Sequence, residues 1–301
     1  MAMRPRHGRL LQRLCNVLCL ALVALSSTPT RADENFFGYS YGSETLPKGA
    51  WETYLWSTWR TDKGNGKYDA LDLRLEAEHG FTDRFQASVY LNGSYWNTHD
   101  TGPIDEDSGS FVIPNQSTFA FKGVQVELKY AVLSPYKDGL GLAFYLEPGY
   151  SKRDSITGQP QTEYELEPRI ILQKNFLEDR LISVLNFSGE FEWEKGEDDP
   201  SFQKELKLEA TGGLAYLIAP NWYLGVEGRY KAVFPNWNLG NREAWAFFAG
   251  PAIHYATKKW WATLTVLPQL SGAPNDPARS SSLQLDEFER LEVRLKIGYY
   301  F

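Results

Sequence analysis

Residues 69–79 read DALDLRLEAEH, and this short stretch decides the predicted fold. From Leu71 to Glu78, every odd-numbered residue is apolar and every even-numbered residue is charged. Successive side chains of a β-strand point to opposite faces, whereas the faces of a helix repeat every ~3.6 residues. The stretch therefore predicts a β-strand that has one apolar face and one charged face.

The same alternation recurs up to the last residue and predicts twelve strands between residues 49 and 301. Short turns such as residues 80–83 alternate with longer polar loops such as residues 98–117, a pattern typical of outer-membrane barrels. A soluble β-sandwich or a lipocalin-like barrel also alternates, but here aromatic residues cluster at strand ends, as at Trp51 and Trp59. We therefore predict an all-β fold, a transmembrane antiparallel up-and-down β-barrel of about twelve strands.

The first residues have the organisation of a secretory signal peptide. Several arginines precede an apolar run from Leu14 to Leu25, and small residues lead to a predicted cleavage site after residue 32. Both cysteines lie in residues 1–32, so the exported chain has no disulfide and no thiolate ligand. Residues 33–48 are rich in aromatic side chains and are interpreted as a periplasmic lead-in or a plug segment. Residues 49–301 are predicted to form the barrel.

Composition and charge exclude other classes of protein. A mean hydropathy of −0.42 is too low for a bundle of membrane-spanning helices. The formal net charge of −7 and the lack of a basic stripe speak against a nucleic-acid partner. With 43% apolar residues, the chain is also too apolar to be disordered.

Three short motifs resemble known outer-membrane proteins. Residues Val293 to Phe301 alternate apolar and polar side chains and end on aromatic residues, which resembles the C-terminal assembly signal of Gram-negative outer-membrane barrels. The stretches at 46–49 (LPKG) and 80–84 (GFTDR) resemble those of small outer-membrane proteins grouped with the meta-pathway phenol-degradation transporters. This resemblance implies contact with outer-membrane lipid and lipopolysaccharide, and insertion by the barrel-assembly machinery through Tyr299 and Phe301. It also implies transport of hydrophobic or aromatic compounds.

In a closed barrel, the polar strand faces line the lumen, and here they carry both signs of charge with acidic residues in excess. Such a lumen is either closed by salt bridges or hydrated, and a hydrated one would prefer cations. Acidic runs at 163–167 and 190–194 fall on neighbouring strands, and Arg290, Arg294 and Lys296 are their predicted partners across the lumen. The predicted lumen-lining charges are Asp72, Arg74, Glu76, Glu127, Lys129, Glu163, Glu165, Glu167, Arg169, Glu190, Glu192, Glu227, Arg229, Arg290, Glu292 and Arg294.

Catalytic groups are sparse. The histidines of the exported part are His79, His99 and His254. None has a serine two residues away, and the His99–Asp100 dipeptide in a long loop is only a faint sign of an acid–base pair. Acidic clusters at 105–107 and 197–199 lack the spacing of a calcium-binding loop. We assign no catalytic residue, no metal and no cofactor.

The sequence thus predicts an outer-membrane β-barrel that acts as a passive channel or transporter for small solutes or hydrophobic compounds. Two alternatives stay open: a structural barrel whose lumen is closed, and an enzyme that acts on lipids. A channel needs a continuous water path, and a structural barrel needs a lumen blocked by paired side chains. An enzyme needs a histidine within hydrogen-bond reach of Ser, Thr or Asp.

Overall fold

Twelve antiparallel strands close into one barrel in the part of the chain that the structure describes. The structure is a computed structural model, which describes residues 35–102, 113–273 and 282–301. Each strand pairs with the next along the chain, and the last pairs with the first, which confirms the predicted all-β up-and-down barrel. The strands are β1 (Trp51–Thr61), β2 (Asn65–Thr82), β3 (Phe85–Gly102), β4 (Gln116–Leu133), β5 (Gly141–Arg153), β6 (Pro160–Phe176), β7 (Leu181–Gly196), β8 (Gln203–Ala219), β9 (Trp222–Pro235), β10 (Ala244–Ala256), β11 (Trp260–Ala273) and β12 (Leu291–Tyr300).

Two sequence predictions fall outside the described residues: the signal peptide at residues 1–32 and the acidic cluster at 105–107. Among the residues that the structure does describe, no helix is long and apolar enough to cross a membrane.

The two faces of each strand separate an apolar exterior from a polar interior. On β1, Trp51 and Leu55 point outward and are 51% and 48% exposed, whereas Glu52 and Tyr54 point inward and are 2% exposed. The pleat of the strand produces this separation, because neighbouring side chains project to opposite sides. An apolar outer surface on a closed barrel is suited to lipid, since no strand edge leaves unpaired backbone groups in the hydrocarbon.

The two ends of the barrel differ in the length of their connections. The connections at one end are short: residues 83–84, 134–140, 177–180, 220–221 and 257–259. Those at the other end are mostly longer, and the longest has 17 residues: residues 62–64, 103–115, 154–159, 197–202, 236–243 and 274–290. The backbone N–H of Phe301 bonds the carbonyl of Trp51 at 3.0 Å, so the C-terminus lies at the short-turn end. In outer-membrane barrels the short turns face the periplasm, and we call this the periplasmic end.

The segment that precedes β1 lies inside the barrel. Residues 35–46, which we call the plug, fill the periplasmic half of the lumen together with inward-facing wall residues. Phe37 and Tyr39 of the plug are 0% and 3% exposed. Gly213 on β8 leaves room for the ring of Phe37, because a Cβ at this glycine would lie only 2.5 Å from it. The plug and the wall thus share an apolar core.

Two outer connections fold back towards the lumen. In the β5–β6 connection, the carbonyls of Ser155 and Ile156 accept hydrogen bonds from Arg60 (2.7 Å) and Tyr68 (3.2 Å). The backbone of Gly64 donates to the carbonyl of Leu285, which belongs to the segment before β12. Residues 283–290 of that segment form what we call the roof, and its Phe288 is 2% exposed. The outer mouth is therefore narrowed by loops rather than left at full barrel width.

Deletion of Phe301 is expected to lower the yield of assembled barrel while leaving the assembled molecules unchanged. Its backbone joins Trp51 and its ring packs on Tyr299, with centroids 5.2 Å apart, but the side chain is exposed and touches no lumen group. Heat-modifiable migration on a mild-detergent gel measures the assembled fraction. An unchanged fraction in the deletion variant would contradict this prediction.

Candidate functional site

One wall carboxylate holds the tip of the plug. Glu227 on β9 accepts three consecutive backbone N–H groups: Gly38 at 3.0 Å, Tyr39 at 2.9 Å and Ser40 at 2.6 Å. Converging backbone N–H groups form an anion-binding nest, and hydrogen bonds to a charged acceptor are stronger than neutral ones. Gly38 also donates to Thr265, and a Cβ at this glycine would lie 2.9 Å from the Thr265 Cβ. Glycine therefore allows the tip to approach β11 closely.

Amide side chains of the wall hold the rest of the plug. Asn186 on β7 accepts from the backbone N–H of Tyr41 at 2.6 Å and donates to its carbonyl at 3.0 Å. The backbone N–H of Ser43 donates to Gln173 at 2.8 Å, and that of Leu46 donates to Gln86 at 2.7 Å. These anchors are side chains of the barrel, and they satisfy plug backbone groups that would otherwise be buried without partners.

Tyr39 and Tyr41 of the plug form the floor of an open space above them. The guanidinium carbons of Arg294 and Arg229 lie 3.8 Å and 4.2 Å from the centre of the Tyr39 ring. Arg169 lies 4.7 Å from the Tyr41 ring and donates to the Tyr39 carbonyl at 3.2 Å. Burial raises the pKa of both tyrosines above the usual range, so that they remain neutral. Arginines thus cover the plug at mid-lumen.

Above this floor lies a charged chamber. It consists of a cavity of about 240 Å³ and an adjoining one of about 230 Å³, which share most of their charged lining. The roof residues Glu287 and Phe288 border the second cavity, and burial raises the pKa of Glu287 to about 7. The acidic side chains that line the first cavity are Asp72, Glu147, Glu163, Glu165, Glu167, Glu190 and Glu209. The basic ones are Arg74, Lys122, Arg169, Lys207, Arg229, Lys231 and Arg294.

The chamber brings together most of the predicted lumen charges and keeps part of the acidic excess that the sequence suggested. Seven acidic and seven basic side chains line the first cavity. The second cavity adds Glu192, Glu287, Glu289 and Glu292 but only one basic side chain, Arg60, so eleven acidic and eight basic side chains line the two cavities together. The chamber as a whole therefore has a small excess of acidic side chains, and the preference of the lumen for cations stays a prediction.

Several of the lumen charges form ion pairs with one another. Arg229 bonds Glu209 at 2.7 Å and Glu292 at 2.6 Å, and Lys207 bonds Glu192 at 2.7 Å. The predicted partnership of the acidic runs with the last strand is wrong in its details. Arg294 instead donates to Thr58 and to the Gly38 carbonyl.

The other two predicted partners lie away from the chamber. Lys296 bonds Asn35 of the plug. Arg290 precedes β12 and pairs with Asp62 at the outer rim, where both side chains are nearly half exposed. Arg290 therefore lies at the outer rim and not on the lumen face of the last strand, where the sequence predicted it.

The remaining predicted lumen charges lie beside the plug. Glu76 accepts from the Trp56 indole at 2.9 Å, and Glu127 accepts from the Tyr90 hydroxyl. Both carboxylates are 1% exposed, and Lys129 is fully buried. These residues belong, with Glu227, to the filled periplasmic half and contribute nothing to the lining of the chamber.

Three carboxylates of the chamber wall approach one another closely. Ligand oxygens of Glu163, Glu165 and Glu192 lie within 4.8 Å of one another, a donor set that suits a hard cation. Lys207 already supplies a positive charge at Glu192. This group of carboxylates therefore attracts cationic groups.

The histidines are dispersed. His254 bonds Thr263 at 2.7 Å but is buried beneath the plug beside Phe36. His79 contacts the carbonyl of Ala50 at the periplasmic end. His99 pairs with Asp100 at 2.9 Å, with both side chains about 70% exposed. None of these histidines lines the chamber.

Sequence reasoning placed Glu227 in the lumen but did not single out the amide side chains that anchor the plug. Asn186 and Gln173 are uncharged polar residues on inward faces that carry Val184 and Ile171, whereas Gln86 lies on the more polar inward face of β3. Tyr54 was also missed, although the alternation that turns Glu52 inward turns Tyr54 inward as well. The sequence pattern that could have indicated these anchors is a polar side chain at an inward position beside large aromatic side chains.

The fold and this site define a class: an outer-membrane β-barrel with a channel-like lumen, whose periplasmic half is filled by the barrel's own N-terminal segment. The chain belongs to a family of unknown function, DUF6662, whose family model matches residues 29–301. No curated protein matches the sequence.

Solved structures share the barrel architecture. An outer-membrane channel from Pseudomonas putida F1 aligns with a TM-score of 0.55 at 15% identity, covering 86% of this chain and 98% of that one. The NanC porin aligns with a TM-score of 0.49 at 13% identity, covering 83% and 98%. The KdgM porin aligns with a TM-score of 0.43 at 14% identity, covering 83% and 99%. At this identity, the likeness to the Pseudomonas putida channel supports the barrel fold alone.

Proposed function

We propose that the protein is a gated channel for small polar solutes, in which the plug closes the lumen and must shift before a solute can cross. The observation that carries this proposal is the division of the lumen into two parts. The outer half contains the charged chamber, whereas the periplasmic half is filled by a segment that belongs to no strand. A barrel that served only as a structural element would need no chamber.

The lining favours polar solutes over hydrophobic ones. Arginine, lysine and carboxylate side chains line the chamber, and an apolar solute would have to displace their water without replacing the hydrogen bonds. The resemblance to transporters of aromatic compounds therefore supports the barrel more than it supports that type of cargo. The apolar surfaces of the lumen lie mainly at the plug, where Tyr41 and Trp56 pack together.

The plug can move without breaking the barrel. Strand β1 pairs with β12 from Glu52 to Thr61, so the sheet is closed independently of residues 35–46. The plug is anchored by hydrogen bonds to side chains such as Glu227 and Asn186 rather than by pairing with a strand. Bonds of this kind can be exchanged for water one at a time, which makes an open state accessible.

A disulfide between the plug tip and the wall tests the proposal. The double variant Gly38→Cys and Thr265→Cys places the two Cβ atoms 2.9 Å apart, and a shift of about 1 Å gives disulfide geometry. We expect the oxidised variant to give no current across a planar bilayer. Reduction should restore the intermittent openings expected of the unmodified protein, because only the tether prevents the plug from leaving.

The two single-cysteine variants serve as controls, and neither should respond to oxidant. Both natural cysteines lie in the predicted signal peptide, so no other thiol competes in the exported chain. Equal current from the oxidised and reduced double variant would refute the gate. Lasting silence from the unmodified protein and the reduced variant alike would favour the structural barrel instead.

A further inference from the structure

In the part of the chain that the structure describes, two groups of opposite charge face the chamber without a partner of opposite sign. On the β6–β7 side, neither Glu165 nor Glu190 has a basic group within 4 Å among the described residues. On the β12 side, Arg294 has no carboxylate within that distance over the same ranges. All three side chains line the first cavity, so their fields meet in the space that a solute would occupy.

The topology places these charges on opposite walls. In the closed order of twelve strands, β12 and β6 are six strands apart in either direction, which is the largest separation that the barrel permits. β7 and β1 are likewise six strands apart. Thr58 on β1 accepts a hydrogen bond from the Nε of Arg294 at 2.8 Å and so orients the guanidinium group. The acidic and basic groups therefore oppose each other across the lumen instead of pairing along one wall.

Each wall presents groups that a ligand could bind. Arg294 uses its Nε on Thr58 and its Nη1 on the Gly38 carbonyl, and its Nη2 donors have no partner among the described residues. Facing it, oxygens of Glu163, Glu165 and Glu192 lie within 4.8 Å of one another, and Glu190 lines the same cavity as Glu165, so several carboxylates converge at one place. A guanidinium with spare donors suits a carboxylate, and converging carboxylates suit the three N–H donors of an ammonium group.

We propose that the chamber binds small dipolar solutes that carry an ammonium group and a carboxylate, such as a dipeptide. The ammonium group lies against Glu165 and Glu190, and the carboxylate lies against Arg294, directly above Tyr39 of the plug. This assignment rests on the proposed channel function and names its class of solute. Singly charged solutes are disfavoured, because each such solute leaves the charged group of one wall without a partner.

Three ligands of nearly the same shape test this assignment. Purified full-length barrel in detergent is titrated calorimetrically with alanyl-alanine, with its C-terminal amide and with its N-acetyl form. The amide lacks the negative charge and the acetyl form lacks the positive one. We expect the unmodified dipeptide to bind roughly tenfold more tightly than either analogue, since each analogue loses one charged hydrogen-bonding partner. Equal affinities for all three would overturn the proposal, and so would tightest binding of the amide.

Two variants should each remove one half of the preference. Arg294→Gln should abolish the advantage over the amide while keeping the advantage over the acetyl form. Glu165→Gln should weaken ammonium recognition and reduce the advantage over the acetyl form. Arg290→Gln, at the exposed rim, is the matched control and should change neither ratio. If Arg294→Gln does not assemble, Thr58→Ala tests the same wall, because it removes the acceptor that orients Arg294 and should reduce the advantage over the amide.

The outcomes separate this inference from the proposed gate. A tethered plug that stops current, combined with no preference for the dipeptide, overturns the dipolar site and leaves the channel intact. If the protein prefers the dipeptide but its current is the same with and without the disulfide, the dipolar site is supported and the gate is refuted.

Discussion

Deletion of residues 35–46 is expected to turn a mostly closed barrel into a constantly open one, with a mean conductance about tenfold or more above that of the full chain. The deletion removes the chain segment that fills the periplasmic half of the lumen. The remaining wall keeps its strand pairing, because β1 meets β12 without help from the plug. Bilayer recordings of the refolded variant measure this effect directly.

The same deletion should also lower the stability of the barrel. Phe36, Phe37 and Tyr41 are at most 7% exposed, and burial of a large apolar side chain stabilises a protein by about 1.5–3 kcal/mol. A loss of several kcal/mol in the free energy of unfolding is therefore expected, visible as a lower urea midpoint in detergent. If the deletion variant assembles, yet conducts no more than the full chain, the wall side chains close the lumen by themselves and the gate is refuted.

The strand faces could be predicted because they depend only on local alternation. Leu71, Leu73 and Leu75 are separated by charged residues, and a period of two needs no knowledge of the remaining chain. The closure of the barrel followed from the number of such strands and from the alternating lengths of their connections. These features are set within each strand and its turn, and the structure confirms the fold that they predict.

The division of the lumen could not be predicted in the same way. The sequence left open whether residues 33–48 enter the barrel, because their partners lie far away in the chain: Glu227 is 189 positions from Gly38. The height of each charged side chain along the barrel axis depends on strand tilt and register. Glu76 and Glu165 look alike in sequence, although one is buried beside the plug and the other lines the chamber.

The ion pairs of the lumen also differ from those that the sequence predicted. The sequence paired the acidic runs with cations on the last strand, but side chains on adjacent strands lie closer than side chains across a lumen. Lys207 on β8 therefore bonds Glu192 on the neighbouring β7, and Arg229 on β9 bonds Glu209 on β8. Arg229 also reaches Glu292 on β12, which is three strands away, and only the charges left without such pairs act across the chamber.

Replacement of Glu227 should release the plug tip more than any other single substitution in the lumen. Glu227→Ala removes the acceptor of three backbone N–H groups in a site that is 1% exposed. We expect this to cost about 3 kcal/mol of plug anchoring, or roughly a hundredfold in the equilibrium between seated and released states. Glu227→Gln keeps one acceptor oxygen but turns an amide N–H₂ towards the Gly38 N–H, so a smaller effect of about tenfold is expected.

The position of the plug can be followed through a cysteine introduced at Ser40, which is 2% exposed when the plug is seated. In a Ser40→Cys background, a water-soluble thiol reagent should react slowest when Glu227 is intact, faster with Glu227→Gln and fastest with Glu227→Ala. Glu163→Gln is the matched control, because its carboxylate faces the lumen and bonds Gln161 of the wall rather than the plug. Modification as slow with alanine as with glutamate at position 227 would show that the aromatic packing of Phe37 and Tyr39 holds the tip without the carboxylate. A loss of protection that grows from Glu227→Gln to Glu227→Ala would place the seated state under the control of a single wall residue, which is what a gate that opens and recloses in an intact barrel requires.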